Sequence, residues 1–522
     1  MSAAAPTGNQ TASRALVGME APAVTVETHL PGGLPGFTLV GMPETAVREA
    51  RDRVKSAIQN CGFDYPQGRI VVNLAPAELV KEGARFDLPI AVSILRATRQ
   101  LPAAPPGTAG GDLEFIGELG LYGEVRATRG CLCAALTLNR EGPAQRRLVV
   151  PAANAGELGV GPGARLLLAD HLTSVADFLR APDSAPLPSP PAAAAPESAA
   201  GPDIDDVLGQ HAAKRALTIA AAGGHHLLMV GPPGTGKTML ARRLSQLLPD
   251  LDGERVMEVA AAYSAAGLPA PPGARPPFRD PHHSASPPAL VGGGRHALPG
   301  EISLAHRGVL FLDELPHFKP SALDLLREPL ESRVVSIARA GYRVRFPAAF
   351  QLVAAMNPCP AGRVCTEHTC RCLPDQVRRY QARVSGPLLD RIDLHVPVPP
   401  LPEHLMTATA DGAGPSGADA RRAVQAARRR QYDRQGCLNA DLAGRRAIEV
   451  AGLSTEARRL LERAAGRFQL SARGAHRVLR SARSIADLDG AARVDGPHLG
   501  EALGFRALDW DDGLSAAVGR TP

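Results

Sequence analysis

The amino-acid sequence predicts a multidomain α/β protein, and three features of the chain support this prediction. With 522 residues, the chain is long enough for about two to four domains, each with its own buried core. Two of its segments mix strand-like apolar runs with helical patterns, and a third, near the carboxyl terminus, has helical periodicity with almost no strand signal. Stretches rich in Pro, Ala and Gly separate the three segments.

The composition is typical of an ordinary globular protein in water. Hydrophobic residues make up 44% and charged residues 21% of the sequence, unlike the composition of a disordered or a membrane-embedded chain. The formal net charge of +6 permits a nucleic-acid partner without requiring one. The amino-terminal residues lack the apolar core of a signal peptide, and no run of about 18 apolar residues occurs, so we expect a cytoplasmic protein with no membrane partner.

The first segment predicts an α+β domain over residues 15–180. Its strand-like runs are AVTVETHL, FTLVGM, RIVVNLA, RRLVVPA and ARLLLA, and ETAVREARDRVKSAIQNCG has apolar residues at helical spacing. Residues 1–14 are small and polar, which predicts a disordered tail. Residues 181–202 form a Pro/Ala/Ser linker that cannot support a core.

The second segment, residues 203–402, predicts a parallel β-sheet. Its strands HLLMVG, GVLFLDE and FQLVAAMN are continuous apolar runs, as expected for strands whose two faces are both buried. A linker that contains a Gly/Pro/Ala break, residues 403–417, follows. The third segment, residues 418–510, predicts a helical domain with many Arg residues.

A strand, a Gly-rich loop and a helix follow one another in HLLMV-GPPGTGKT-MLARRL, the context that a phosphate-binding loop requires. The glycines let backbone N–H groups turn inward around phosphates, and the helix adds the positive end of its dipole. Lys237 is predicted to reach the β- and γ-phosphates of ATP, and Thr238 to bind Mg²⁺ through its hydroxyl. A chance Gly-rich turn would not explain the complete motif in this context. The predicted nucleotide-binding residues are Gly231, Pro232, Pro233, Gly234, Thr235, Gly236, Lys237 and Thr238.

Two further strand ends carry polar residues suited to hydrolysis. GVLFLDE ends in Asp313, predicted to bind Mg²⁺ through water, and Glu314, predicted to orient and polarise the attacking water. FQLVAAMN ends in Asn357, whose amide is predicted to hold that water or to sense the γ-phosphate. The alternatives are an acidic strand end that caps the next helix and an ordinary turn residue. The order of the three motifs favours the catalytic interpretation.

Two arginines further along the chain are candidates for contacts with the nucleotide. Arg391, in SGPLLDRID, is predicted to reach the γ-phosphate of an adjacent subunit and to stabilise the charge of the transition state. Its alternative is a salt bridge within the chain, to Asp390 or Asp393. Arg473, in LSARG, opens a helix of the third segment and is predicted to reach back to the nucleotide, although Arg477 and Arg480 lie nearby and leave the choice of Arg open.

The motifs, taken in order, resemble the YifB/ComM family of magnesium-chelatase-like AAA+ proteins. GPPGTGKT, GVLFLDEL, AAMNPCP, SGPLLDRID and LSARGAHRVLRSARSIADL carry the resemblance, and GLPGFTLVGMPETAVREARDRVKSAI and FIGELGLYGEVR extend it to the first segment. The resemblance implies a P-loop AAA+ core, an N-terminal Lon protease-like α+β domain and a C-terminal helical lid. It also implies a hexameric ring with nucleotide between subunits. The implied activity is that of an ATP-driven helicase, which promotes branch migration when transforming DNA is integrated by homologous recombination.

The Lon-like domain is not expected to be a peptidase. Proteolysis of that type needs a Ser nucleophile and a Lys base, and the matching stretch KEGARFD, from Lys81 to Asp87, contains no Ser. We therefore expect Lys81 to be a surface residue. DNA binding or ring assembly is the better hypothesis for this domain.

A hairpin that contacts DNA is predicted in SRVVSIARAGYRVR, residues 332–345, because two β-branched runs flank a Gly-containing turn. In related helicases the hairpin before the Asn-bearing strand projects into the channel of the ring. Arg339, and with it Arg343 or Arg345, is therefore a candidate to grip phosphates. A solvated basic strand face is an equally good interpretation.

Three other features are weighed against plainer interpretations. Residues 292–295, GGGR, are a candidate second channel loop. The Arg runs at 421–422 and 428–430 are interpreted as solvated helix faces rather than DNA contacts. His282 and His283 suggest a metal site, but no further ligand recurs at a suitable spacing, so a packed loop is favoured.

A cluster of cysteines follows the third strand in CPAGRVCTEHTCRC. The thiolates of Cys359, Cys365, Cys370 and Cys372 are predicted to close a tetrahedral structural Zn²⁺ site, in which His368 could replace one thiolate. The spacing is not that of a paired C-x-x-C finger, and free thiols or redox chemistry are the alternatives.

Three functional hypotheses follow. The first is a hexameric AAA+ DNA motor, with branched or single-stranded DNA and recombination proteins as partners. The second is a chelatase-type motor that drives metal insertion into a tetrapyrrole through partner subunits, although such a subunit would normally lack the N-terminal domain. The third is an ATP-gated remodeller of, or scaffold for, protein partners.

Overall fold

The computed structural model describes eleven stretches of the chain, which contain two β-sheet domains and a helical domain. No helix within these stretches is long and apolar enough to cross a lipid bilayer. The described residues are 9–42, 49–103, 112–141, 146–159, 165–191, 204–294, 297–339, 342–362, 372–401, 416–467 and 470–506.

The first domain is built on a mixed sheet that contains all five strand-like runs identified in the sequence. Its strands are β1 Gln10–Arg14, β2 Ala23–His29, β3 Gly36–Val40, β4 Arg69–Ala75, β5 Leu113–Phe115, β6 Glu118–Leu119, β7 Val125–Arg126, β8 Arg147–Pro151 and β9 Leu166–Ala169. Seven of them pair in the order β3-β4-β2-β1-β5-β8-β9, while β6 and β7 form a separate ribbon. The pairs β1–β2 and β2–β4 are antiparallel and the other pairs of the large sheet are parallel.

Helices cover this sheet and complete its core. They are α1 Ala50–Asn60, α2 Asp87–Ala97, α3 Cys131–Glu141, α4 Ala155–Leu158 and α5 Leu172–Arg180. Helix α1 was predicted from its apolar spacing, which buries Val54 and Ile58. Helix α2 is buried along almost its whole length, and Ile90 packs in the same apolar cluster as Val24 and Phe115.

The predicted disordered tail, residues 1–14, is wrong for its last five residues, because these form β1 in the middle of the sheet. Their polar composition hid the strand. Thr11 and Ser13 are buried although polar, and the charge of Arg14 is neutralised by the buried Glu114, with 2.5 Å between Nε and Oε2. Main-chain pairing with two neighbours supports this strand, a contribution that no hydrophobic pattern reveals.

Two other expectations about this domain need correction. The Pro/Ala linker begins later than expected, because Leu187 is buried and the Pro188 carbonyl accepts a hydrogen bond of 2.7 Å from the backbone N–H of Leu168. Lys81 is not a surface residue. Its side chain is buried and its ammonium donates to the Pro76 carbonyl, and burial lowers its pKa.

The second domain contains a five-stranded sheet whose pairs are all parallel, as predicted from its continuous apolar runs. Its strands and two β-ribbons are β10 Leu227–Val230, β11 Phe278–Arg279, β12 Gly292–Gly293, β13 Leu298–Pro299, β14 Val309–Leu312, β15 Val334–Arg339, β16 Tyr342–Pro347, β17 Gln351–Met356 and β18 Leu394–Pro397. The sheet order is β11-β14-β17-β10-β18. Strands β15 and β16 form the predicted hairpin, and β12 pairs with β13.

Apolar clusters fill both faces of this sheet. Its helices are α6 His211–Gly223, α7 Lys237–Leu247, α8 Gly253–Ala266, α9 Pro287–Val291, α10 Glu301–Leu304, α11 Pro320–Asp324, α12 Arg327–Ser332, α13 Pro374–Gln381 and α14 Gly386–Leu389. One cluster joins side chains of α6, α7 and the third domain. The other joins the hairpin with α9 to α14.

The third domain is helical, as predicted, and packs directly on the second. Its helices are α15 Gly417–Gln435, α16 Gly444–Ala451, α17 Thr455–Arg467, α18 Ala472–Leu488 and α19 Gly496–Gly504. Polar groups at the contact are paired: His225 Nε2 lies 2.7 Å from the Ser484 hydroxyl. Within the third domain, the carboxylate of Asp487 is shared by the guanidinium groups of Arg434 and Arg483.

Loss of the Asp487 carboxylate should destabilise the third domain. In Asp487→Ala, the side chain of Arg483, which is 1% exposed, keeps a buried charge without its counter-ion, which costs about 3–5 kcal/mol. Asp489→Ala is the matched control, because Asp489 is half-exposed and pairs at the surface, where a pair contributes about 0–1 kcal/mol. Thermal and urea unfolding would measure both variants. Equal stability of the two would contradict this account of the buried Asp487 cluster.

Candidate nucleotide site

Glycines shape the loop between β10 and α7. Gly234 and Gly236 have φ of +80° and +85°, and open space lies where their side chains would project. Gly231 is required for a different reason, because a Cβ there would lie 2.1 Å from the carbonyl oxygen of Val398, which follows β18. The loop therefore takes a backbone path that residues with side chains would not follow.

Lys237 begins α7 and turns its side chain back into the loop. Its ammonium donates to the carbonyl oxygens of Gly231 and Pro232, both at 2.7 Å, and to Asn357 Oδ1 at 3.2 Å. Burial lowers the pKa of Lys237, while the nearby Asp313 raises it. The ammonium thus lies between the carboxyl ends of β10 and β17.

Thr238 and Asp313 meet at the same edge of the sheet. The Thr238 hydroxyl donates to Asp313 Oδ2 at 2.7 Å. The other carboxylate oxygen, Oδ1, accepts the backbone N–H of Glu314 at 2.9 Å. Both oxygens of Asp313 are therefore oriented by the structure.

These residues fit ATP and Mg²⁺. A hydroxyl beside a carboxylate is a set of hard oxygen ligands, so Thr238 and Asp313 would hold the ion. The open glycine loop and Lys237 would hold the phosphates. Mg²⁺ neutralises charge on the β- and γ-phosphates when it is bound.

Glu314 follows Asp313 with a left-handed backbone, φ +52°, and its carboxylate is half-exposed. Its Oε2 lies 3.4 Å from Nδ1 of His283. His283 also packs against His282, with 4.1 Å between ring centroids, and against His317, at 5.8 Å. The histidine pair is therefore part of a packed loop, as expected from the sequence, but one of its rings contacts a candidate catalytic residue.

Asn357 lies at the end of β17, directly beside β10. In addition to Lys237, it contacts Tyr380 of α13, whose hydroxyl hydrogen-bonds to the Asn357 backbone. Burial raises the pKa of Tyr380 to about 12, so it stays a neutral phenol. The fold therefore brings Lys237, Asp313 and Asn357 together at one edge.

Arg391 is held within its own subunit by a residue that the sequence did not indicate. Its guanidinium Nη2 lies 2.6 Å from Glu331 Oε1, and Nη1 donates to the Pro387 carbonyl at 2.6 Å. The alternative predicted from the sequence was a pair with Asp390 or Asp393. The spacing of residues in the sequence does not predict a pair of Arg391 with Glu331. The contact joins α12 to the residues that follow α14, and these two short helices are distant in the chain.

Arg473 is exposed at the second residue of α18. One turn later, Arg477 lies 3.7 Å from Asp393, measured from Nε to Oδ1. Asp393 directly precedes β18, so this part of α18 packs at the amino ends of the parallel strands. The phosphate-binding loop follows the opposite, carboxyl end of β10. The role of Arg473 stays a prediction.

The zinc prediction concerns residues that are described only in part. Cys359 is buried and Cys372 half-buried, whereas Cys365, Cys370 and His368 lie outside the described residues. Within the described ranges, no three His, Cys, Asp or Glu residues are arranged to hold a metal ion. Structural zinc therefore stays a prediction.

Three family models match successive parts of the chain. "Subunit ChlI of Mg-chelatase" matches residues 26–154, "Magnesium chelatase, subunit ChlI" matches 203–406, and "Magnesium chelatase, subunit ChlI C-terminal" matches 414–506. The chain is also 46% identical over 499 residues to YifB of Escherichia coli, with 95% of this chain and 96% of YifB covered. It is 47% identical over 501 residues to Competence protein ComM of Haemophilus influenzae, with 95% and 97% covered.

The chain belongs to the YifB/ComM family. A protein of Mycobacterium tuberculosis is a third relative, 42% identical over 504 residues that cover 95% of this chain and 97% of the relative. The YifB/ComM chain thus contains a ChlI-like AAA+ domain, and a domain of this type implies an ATPase. The parallel sheet and the helical carboxyl-terminal domain agree with that assignment.

Replacement of Glu314 by Gln should separate ATP binding from ATP turnover. The amide keeps the size of the side chain but cannot polarise water as a carboxylate does, so we expect kcat to fall by about 10²–10⁴-fold. Nucleotide affinity, measured by equilibrium binding, should remain. Lys237→Ala is the matched control and should lose nucleotide binding. Turnover of Glu314→Gln near that of the unaltered protein would refute the role of Glu314.

Proposed function

We propose that this chain is an ATP-dependent hexameric DNA motor, a branch-migration helicase that acts in homologous recombination or natural transformation. This proposal adds a DNA partner and a ring to the ATPase. The observation that carries it is the exposed basic face of the hairpin formed by β15 and β16. Competence protein ComM, which is similar over almost its whole length, supports a role connected with DNA uptake.

The hairpin separates an apolar face from a basic one. Its apolar side chains are buried in the core of the second domain and fix its position: Val335, Ile337, Val344 and Phe346. Arg343 and Arg345 lie on the exposed face, opposite Ala338 and Ser336. Because these cross-strand neighbours are small and uncharged, the face presents positive charge suited to phosphates. The turn, 340–341, and the side chain of Arg339 lie outside the described residues.

The hairpin also lies at a position that favours coupling to hydrolysis. It follows α11 and α12 after β14, and β17 begins four residues after β16 ends. The backbone N–H of Ala348 donates to the Arg333 carbonyl at 2.7 Å and closes the base of the hairpin. A displacement of the hairpin would therefore be transmitted to β17, which ends at Asn357.

The first domain borders this basic face. A groove of about 960 Å³ runs between the two domains, and its lining combines three arginines with three glutamates: Arg140, Arg343, Arg345, Glu20, Glu254 and Glu258. Gly18 approaches the hairpin so closely that a Cβ there would lie 2.4 Å from Val344 Cγ1. The first domain therefore packs against the base of the basic face, and we propose that it is Lon-like without peptidase activity.

The ring is proposed from the expected role of Arg391. Arg391 is held by Glu331 of its own chain, and we propose that in a hexamer it acts on the nucleotide of a neighbouring subunit, so that each site combines groups from two chains. Arg473 is proposed, as the sequence predicts, to reach back to the nucleotide.

A chelatase-type motor is the second candidate, because all three matching family models describe a magnesium chelatase subunit. In this alternative, ATP hydrolysis would drive metal insertion into a tetrapyrrole through partner subunits. Porphyrin-dependent binding of a partner, together with no stimulation of hydrolysis by DNA, would favour the chelatase function over the DNA motor.

Removal of the hairpin charges should weaken DNA binding. For Arg343→Ala/Arg345→Ala we expect loss of DNA-stimulated ATPase activity, and the slope of log affinity against log salt should fall by about two, since each phosphate contact contributes about 0.7–0.9. Arg422→Ala/Arg429→Ala removes two exposed charges from α15 and should change neither quantity. Binding and branch-migration assays on branched and single-stranded DNA would measure the effects. Equal DNA affinity of both double variants would exclude the hairpin as the contact.

Mixing two inactive variants should restore part of the ATPase activity. The Arg391→Ala subunit keeps an intact phosphate-binding loop, and the Lys237→Ala subunit keeps an intact Arg391. In a 1:1 mixture, about a quarter of the interfaces therefore combine both intact groups. Steady-state ATPase activity against mixing ratio would show a maximum near equal amounts.

Glu331→Gln is the control for this mixing experiment. It removes the partner of Arg391 within the subunit while Arg391 itself remains, so activity should be retained. Loss of activity in Glu331→Gln, combined with no recovery at any mixing ratio, would show that Arg391 serves only the structure of its own chain.

A further inference from the structure

We infer that His283 is a positioning residue for Glu314, orienting its carboxylate for ATP hydrolysis. The inference rests on the role of Glu314 in hydrolysis proposed above and is independent of any DNA partner. The observation behind it is the contact of 3.4 Å between His283 Nδ1 and Glu314 Oε2. At this distance the contact is electrostatic: with a proton on Nδ1, His283 turns positive charge density toward the carboxylate.

Glu314 needs an external restraint because of its position. It lies just beyond the buried strand β14, its side chain is 50% exposed, and a Glu side chain has three rotatable bonds. The backbone of the turn is fixed, since the N–H of His317 donates to the Glu314 carbonyl at 2.7 Å. The direction of the carboxylate is not fixed by this backbone bond. The contact with His283 selects one orientation, as a supporting residue does for a catalytic group.

The ring of His283 is itself held in place. It packs against His317 and meets the edge of the buried Phe318, with centroid distances of 5.8 Å and 6.5 Å. Both residues belong to the turn that begins at Glu314. The loop that carries His283 leads into α9, whose first turn is capped by the Ser286 hydroxyl. His283 therefore joins the acidic strand end to a separate segment of the chain.

His282 provides a matched control in the adjacent position. It is also a histidine, but its Nδ1 lies 2.7 Å from the Ser284 hydroxyl, so its polar contact stays within its own loop. Its ring is more exposed than that of His283. A change that acts only by loosening the loop should appear in both histidine variants.

The test is steady-state ATPase kinetics of His283→Ala, His283→Asn, His283→Gln and His282→Phe. A polar contact with a charged group contributes enough for its loss to lower kcat about tenfold, and we expect KM to stay unchanged in His283→Ala. His283→Asn places an amide N–H close to the position of Nδ1 and should recover most of the activity. His283→Gln extends beyond that position and should not. His282→Phe loses the contact with Ser284 but keeps a ring packed on His283, so it should match the unaltered protein.

Two results would overturn the inference. One is kcat of His283→Ala equal to or higher than that of the unaltered protein, which would show that the contact is incidental or holds Glu314 back. The other is loss of activity in His283→Asn equal to that in His283→Ala, which would indicate packing alone.

A double variant separates this inference from the proposal on which it rests. If His283 acts through Glu314, adding His283→Ala to Glu314→Gln should cause no further loss, because the two substitutions affect one interaction. Normal turnover in Glu314→Gln would refute the role of Glu314 itself. A defect in Glu314→Gln with normal turnover in His283→Ala would refute only the role of His283.

Discussion

The parallel pairing of β10 with β17 is the constraint on which the nucleotide site depends. Val230 pairs with Met356 in this register, so the residues that follow, Gly231 and Asn357, lie at the same edge of the sheet. Lys237 contacts both of them. A slip of one residue would turn the side chains of β17 to the opposite faces, and the buried apolar clusters on both faces oppose such a slip. The core of the domain therefore sets the geometry of the polar site.

The residues of the site and most strands of both sheets were predictable, because local patterns specify them. The Gly-rich loop needs glycine at fixed positions, and a strand buried on both faces is a continuous apolar run. The parts that were not predicted depend on contacts between distant residues. Arg391 pairs with Glu331, and β1 is a polar strand supported by two neighbouring strands and by Glu114. A surface position for Lys81 was inferred because the stretch has no Ser to pair with a catalytic Lys, yet Lys81 is buried against the Pro76 carbonyl.

The third domain is joined to the ATPase domain by polar groups as well as by apolar packing. His225, just before β10, bonds to Ser484 of α18, and Asn439 bonds to the same hydroxyl at 3.0 Å. Buried polar groups of this kind are costly unless each is paired, so the arrangement favours one orientation of the domain. Because His225 precedes the strand that leads to the phosphate-binding loop, this pairing places a contact of the third domain next to β10.

The order of elements along the chain places the proposed DNA contact inside the catalytic unit rather than beside it. Strand β14 ends at the acidic pair and β17 ends at Asn357, while the β15–β16 hairpin is inserted between these two neighbouring strands. The hairpin is anchored by Val344 and Phe346, which belong to the same cluster as Leu310 and Leu352 of the two strands. Force on its exposed arginines would therefore act on the packing between the two strands that lead to Asp313 and Asn357. A separate binding domain on a flexible linker would lack this coupling, because a linker absorbs displacement through its own conformational freedom.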